Sequence, residues 1–123
     1  ALTQYISDLS LLDWEISRRM CEGNSEKFHE ILAILSEDLK VRSNLLHKAY
    51  LDKDLQAVHA ELHRILGGVV YICSPRLETT LKTFQKLSDW NECDQFYHYL
   101  QQTIHAFREE CAKGIKATRI YCL

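Results

Sequence analysis

The chain has 123 residues, 46% of them apolar and 26% charged, the balance of an ordinary water-soluble domain with room for one core but not two. A net charge of −2, with no basic tail and no Lys/Arg cluster, argues against nucleic-acid binding. No apolar run approaches the ~20 residues needed to span a bilayer, and no leader pattern is visible, so no membrane contact is expected.

Five cysteines stand at Cys21, Cys73, Cys93, Cys111 and Cys122. Their number is odd and no pair has CxxC spacing, which argues against both a disulfide framework and a zinc site. Idle thiols in a reducing cytoplasm are the expectation. The chain opens on Ala1 rather than Met, as a piece of a longer protein would.

In chain order the pattern is helical. The first dozen residues offer Tyr5, Ile6, Leu9, Leu11 and Leu12 without a readable period. Asp13 is placed to cap a short helix carrying Trp14, Ile16 and Met20, which stops at Gly23-Asn24. Ser25 is then expected to cap a long helix with Phe28, Ile31, Leu32, Leu35, Leu39, Leu46 and Ala49 on its apolar face, ending near Tyr50-Leu51. Asp52 or Asp54 starts the next helix, which buries Leu55, Val58, Leu62, Ile65, Leu66, Val69 and Ile72 and stops near Cys73.

Ser74-Pro75 reads as an N-cap followed by proline at the first helical position. The helix it opens carries Leu77, Leu81, Phe84 and Leu87. A last helix runs from about Glu92 to Lys113 with Phe96, Leu100, Ile104, Phe107 and Cys111 inward. The fold class expected is all-α: an up-down four-helix bundle preceded by a short additional helix. One domain spans 1–123, with its core at about 10–113 and no readable pattern at the N-terminal segment or in the tail from Gly114 to Leu123.

One segment carries chemistry: His63-Arg64-Ile65-Leu66-Gly67-Gly68, continuing to Leu77. On a helical wheel the core stripe centres near Val58, Leu62 and Val69, and His63 lies roughly 120° away, on the shoulder of the exposed face. Leu66 falls between His63 and the core, while Ala60, Gly67 and Tyr71 fall on the solvent side. Two glycines in mid-helix cost ~2 kcal/mol relative to alanine, so something must offset them. Side chains lean toward the helix N-terminus, so a side chain at 67 would lean over His63, and glycine leaves the ring open to a second protein. Neutral imidazole is a good nucleophile near pH 7, and its phosphoramidate is labile enough to be passed on. On the residues alone, an idle surface histidine and a glycine pair set by close helix packing stay open.

The segment resembles the histidine-containing phosphotransfer (HPt) family. Its motif has glycine four residues after the histidine, a small residue next, a further glycine at ten and leucine at fourteen. His63, Gly67, Gly68 and Leu77 match, and Arg64 matches the basic residue frequently found just after the histidine. Tyr71, Pro75-Arg76 and Asp13-Trp14 look like the C-terminal HPt module of BarA-type tripartite sensor kinases. The resemblance covers roughly residues 10 to 113, though its specific part is the fifteen-residue segment.

The resemblance implies a four-helix bundle and a phosphocarrier that is no enzyme on its own. His63 would be the phosphoacceptor, supported by Arg64, Gly67 and Gly68. Partners would be the receiver domain of a hybrid kinase and a response regulator, docking over His59, Ala60, Val70 and Tyr71. The chain itself would need no cofactor or metal, because magnesium belongs to the receiver. The location would be cytoplasmic, with the parent kinase anchored in the inner membrane. Two positions depart from the family. Leu66 stands where a Lys or another polar residue is usual, with Arg64, about 100° around the helix, a partial substitute. Cys73 stands where the turn glycine is usual, so that turn is expected to lean on Ser74-Pro75.

Two rival readings use the same residues. A non-catalytic interaction domain would keep the bundle without transfer. A metal-binding bundle would pair His59 with His63, four apart, and draw on His98 or His105, although no Glu-x-x-His pair supports it.

Overall fold

The computed structural model describes residues 2–121 and the side chains of residues 2–114. The described residues are helical, in the order α1 (Leu2–Ser7), α2 (Trp14–Met20), α3 (Ser25–Leu51), α4 (Leu55–Val69), α5 (Pro75–Gln85) and α6 (Trp90–Tyr121). The last four close a ring: α3 packs on α4 and α6, and α5 on α4 and α6. This is the expected up-down bundle. The N-terminal addition is two short helices rather than one, α1 lying against α5 and α2 against α3. No helix among the described residues is long and apolar enough to cross a membrane.

Local chemistry sets the helix starts. The Asp13 carboxylate accepts from Ile16 N–H, Asn24 from Lys27 N–H and Asp54 from Ala57 N–H, each satisfying an otherwise orphaned donor. The cap of α3 is therefore Asn24, one residue before the expected Ser25. Of the two candidates for α4, Asp54 caps. At α5 the expected proline sits at the first position, but the Ser74 side chain makes no capping bond and its hydroxyl is buried without a partner. Helix α3 ends as expected at Leu51, after which Lys53 adopts a left-handed φ of 56°. Helix α4 stops at Val69, four residues short of Cys73.

The core runs through the ring and contains Leu32, Leu39, Leu46, Val58, Leu62, Ile65, Leu77, Leu81, Phe84, Leu100 and Phe107, each almost fully buried. Full burial of one such side chain stabilises by ~1.5–3 kcal/mol. Helix α2 departs from expectation: Ile16 and Met20 are exposed, and the buried positions are Ser17 and Cys21. Its inward face is Trp14, Ser17 and Cys21, a spacing of three and four.

Gly114 is the close-approach glycine of the fold. A Cβ there would collide with Trp14 Cη2 and lie 3.2 Å from Leu32 Cδ1, so the absent side chain lets the indole seat on α6. Trp14 also meets Phe28 edge-on at 5.8 Å. Gly114 thus lies inside α6, which continues through the expected tail to Tyr121, with Leu123 and Cys122 outside the described residues. Cys21, Cys73, Cys93 and Cys111 are free thiols.

Candidate functional site

The site is built on the outer face of α4, whose inner stripe of Val58, Leu62, Ile65 and Val69 is buried and fixes its rotation. That rotation leaves Ala60, His63, Arg64 and Gly67 exposed. Leu66, on the flank toward the core, is half-buried and packs against it. An apolar residue suits that position because the bundle, not the solvent, is its main neighbour.

Among the described residues no side chain or backbone group hydrogen-bonds to His63, and no acid pairs with it. His59, one turn earlier, is different. Its Nε2 donates to the Leu87 carbonyl oxygen beyond the end of α5, at 3.2 Å, and the ring is half-buried. The two histidines are four apart in sequence, yet one is tied to the scaffold and the other is free.

The two glycines differ as well. A Cβ at Gly67 would meet nothing within 4 Å, so the protein does not need glycine there for packing. A Cβ at Gly68 would sit 3.4 Å from Leu35 Cδ2 and 3.9 Å from Asp38 Oδ2, in ordinary contact with α3. Gly68 therefore belongs to the α3–α4 seam, whereas Gly67 opens outward beside His63.

Arg64 points to the seam side. Its guanidinium donates to the carboxylate of Glu61, a buried acid on the same helix three residues earlier. The other Glu61 oxygen lies 3.8 Å from Arg42, and Arg42 lies 3.6 Å from Asp38. This chain of charges lets an almost buried carboxylate exist, since a buried charge needs partners. It also commits Arg64 to Glu61. Sequence reasoning passed over Glu61, although its position three before Arg64 is the spacing of a helical ion pair.

Val70 caps α4 and Tyr71 follows in the turn; they are 62% and 64% exposed. With Ala60 and His63 they form an exposed strip along the outer face and C-terminal end of α4. The turn beyond them is held from outside. Ser17 Oγ accepts from Cys73 N–H at 2.9 Å, and Asp13 N–H donates to the Cys73 carbonyl at 2.9 Å. Arg76 N–H donates to the Ser10 carbonyl at 3.0 Å, and Arg76 Nε to the Leu9 carbonyl at 2.8 Å. The segment from Leu9 to Ser17 thus clasps the α4–α5 turn, the work expected of Ser74-Pro75. Cys73 takes no left-handed φ, so glycine is not required there.

His98 and His105 lie exposed on α6, across the bundle from His59 and His63, and His105 pairs with Glu109 at 2.9 Å. Among the described residues no three His, Cys, Asp or Glu side chains gather as a metal site would require. Chemically, the α4 face offers an unencumbered imidazole nucleophile on a rigid helix, with apolar contact area at one end and a committed arginine on one flank. Compared with known proteins, the chain matches no protein family, no curated protein and no solved structure.

Proposed function

We propose that this domain is a phosphocarrier in which His63 takes a phosphoryl group from an aspartyl phosphate on a receiver domain and hands it to the aspartate of a response regulator. The observation that supports it is an exposed, unpartnered imidazole in mid-helix with open space where a residue-67 side chain would stand. In the loading step the lone pair of the unprotonated ring nitrogen attacks phosphorus. The P–O bond to the aspartyl carboxylate breaks, the carboxylate leaves with the electron pair, and the other ring nitrogen gives up its proton to solvent. Unloading reverses these bonds on a second receiver.

The carrier supplies little besides the nucleophile. In-line transfer needs charge neutralisation at phosphorus, and the receiver, with its magnesium ion and acidic pocket, brings it. The chain is then no enzyme by itself and holds no cofactor of its own. Val70, Tyr71 and Ala60 give the docking receiver an apolar contact beside the histidine, while His59 serves mainly the scaffold. On this reading the domain works in the cytoplasm, attached to or alongside a membrane-anchored sensor kinase.

A second reading, an interaction domain without transfer, draws on Leu66 and Arg64. The first is apolar and half-buried and the second is held by Glu61, so neither sets a free cation beside His63.

The test is a transfer assay. The protein is mixed with several receiver domains carrying labelled phosphate, and the label on this chain is examined for acid lability and base stability. Labelling of the wild type and none of His63→Gln supports the carrier. No label on the wild type from any receiver that still binds it supports the interaction domain.

A further inference from the structure

On the edge of the bundle formed by α3 and α6, away from the α4 face, lies a groove of about 290 Å³. Lys40 and Arg108 line it from the two helices, and no Asp or Glu side chain does so. Among the described residues neither cation has a carboxylate partner; Arg108 only donates from Nε to the Ser36 carbonyl at 3.0 Å. Two uncompensated cations facing one concavity, in a chain of net charge −2, make a local field that attracts anions.

The remaining lining is mixed: Leu46 and Ile104 are apolar, His105 pairs with Glu109 at 2.9 Å, and the other groups form hydrogen bonds. The Tyr97 hydroxyl lies 2.7 Å from His47 Nδ1, and the Gln101 amide nitrogen approaches the same atom at 3.5 Å. Burial pushes the Tyr97 phenol up to about 12, so it keeps its proton near neutral pH. Both contacts fall on Nδ1, which leaves the Nε2 of His47 without a partner among the described residues. Ser43 adds a hydroxyl that is closed off from solvent and has no hydrogen-bond partner, an uncommon state for a buried polar atom.

We propose that this groove binds a small organic phosphate monoester. The phosphoryl end sits between Lys40 and Arg108, which suit a dianion through a point charge and a fork of donors. The organic end lies against His47, Asn44 and Gln101, whose groups match hydroxyls. At about 290 Å³ the groove has room for an organic group beside the phosphoryl end. The site is independent of His63.

The test uses glycerol 3-phosphate as probe, with inorganic phosphate and glycerol as separate arms, followed by amide and imidazole NMR shifts and by calorimetry. Expected are saturable shifts confined to α3 and α6, weaker binding of inorganic phosphate and none of glycerol. Lys40→Gln weakens glycerol 3-phosphate binding at least about tenfold, or ~1.4 kcal/mol, and His63→Gln leaves it unchanged. Lys40 is exposed and unpartnered, so its replacement does not endanger the fold; Arg108→Gln serves as the second variant. Shifts that never saturate, equal affinity in Lys40→Gln, or inorganic phosphate binding as tightly as the ester would each overturn the assignment.

Discussion

Ser17 and Cys73, 56 residues apart, share two hydrogen bonds: Cys73 N–H donates to Ser17 Oγ at 2.9 Å, and the hydroxyl donates back to the Cys73 carbonyl at 3.4 Å. Ser17 is fully buried. Ser17→Ala strands the Cys73 N–H, and leaving a buried donor unpaired costs about 1–3 kcal/mol. Thermal unfolding should fall by several degrees with the helical circular dichroism unchanged. An unshifted Tm would show that the clasp does not hold the turn.

Gly114→Ala should destabilise although alanine is the better helix former. The ~1 kcal/mol gained in propensity is outweighed by overpacking against Trp14 and Leu32, which costs ~1–3 kcal/mol. Urea unfolding of Gly114→Ala, Trp14→Leu and the double variant checks this. The effect of alanine should shrink or reverse once the indole is gone. A stabilised Gly114→Ala single variant would be incompatible with the indole seat.

Gly67 separates stability from transfer. Its Cβ direction is empty, so Gly67→Ala should gain ~0.5–1 kcal/mol in urea unfolding. Gly67→Leu should keep the fold yet slow phosphoryl acceptance, because the larger side chain leans back over His63. Undiminished transfer with leucine at 67 would refute the steric role given to this glycine.

The two α4 histidines should exchange their phenotypes between assays. His59→Ala loses the bond to the Leu87 carbonyl and should cost about 0.5–1.5 kcal/mol, with phosphoryl acceptance slowed at most. His63→Gln, which removes no contact, should leave the unfolding midpoint unchanged and remove the label. Loss of labelling in the His59 variant, with His63→Gln still active, would mean the wrong face of α4 has been taken as the site.

Alkaline pH should weaken the fold. Burial pushes the Cys111 thiol from its ordinary 9.0 up to about 12, and the Tyr97 phenol from 10.0 up to about 12. The unfolded chain therefore loses these protons first. Above pH 9 the folded state holds more protons, so stability falls as pH rises, until about pH 12. Unfolding free energy measured across that window should decline, and Cys111→Ala should flatten part of the slope. An identical slope in the variant would show that Cys111 does not contribute.

The ring of four helices was legible because each long helix repeats its apolar spacing several times. Four or more turns in α3 and α4 leave one rotation that buries Phe28 through Ala49, or Val58 through Val69, and that rotation places His63 outside. Aspartates before α2 and α4 mark their starts because a short side chain there finds an orphan N–H. Helix α2 has seven residues, too few for a period to choose between faces, so Ile16 and Met20 were expected inward where Ser17 and Cys21 lie. What faces it is decided by the Cys73 turn and by Phe28, residues far along the chain.

The amino-acid order alone thus determined the four bundle helices, their inner stripes and the exposure of one histidine, since these follow from contacts within a few turns. Only the tertiary structure decided that His59 is tied to Leu87, Glu61 to Arg42 and the α4–α5 turn to Ser17, and that Gly114 receives an indole. Each joins groups whose pairing depends on how whole helices are brought together or on which rotamer the packed surface permits, and no local periodicity encodes that.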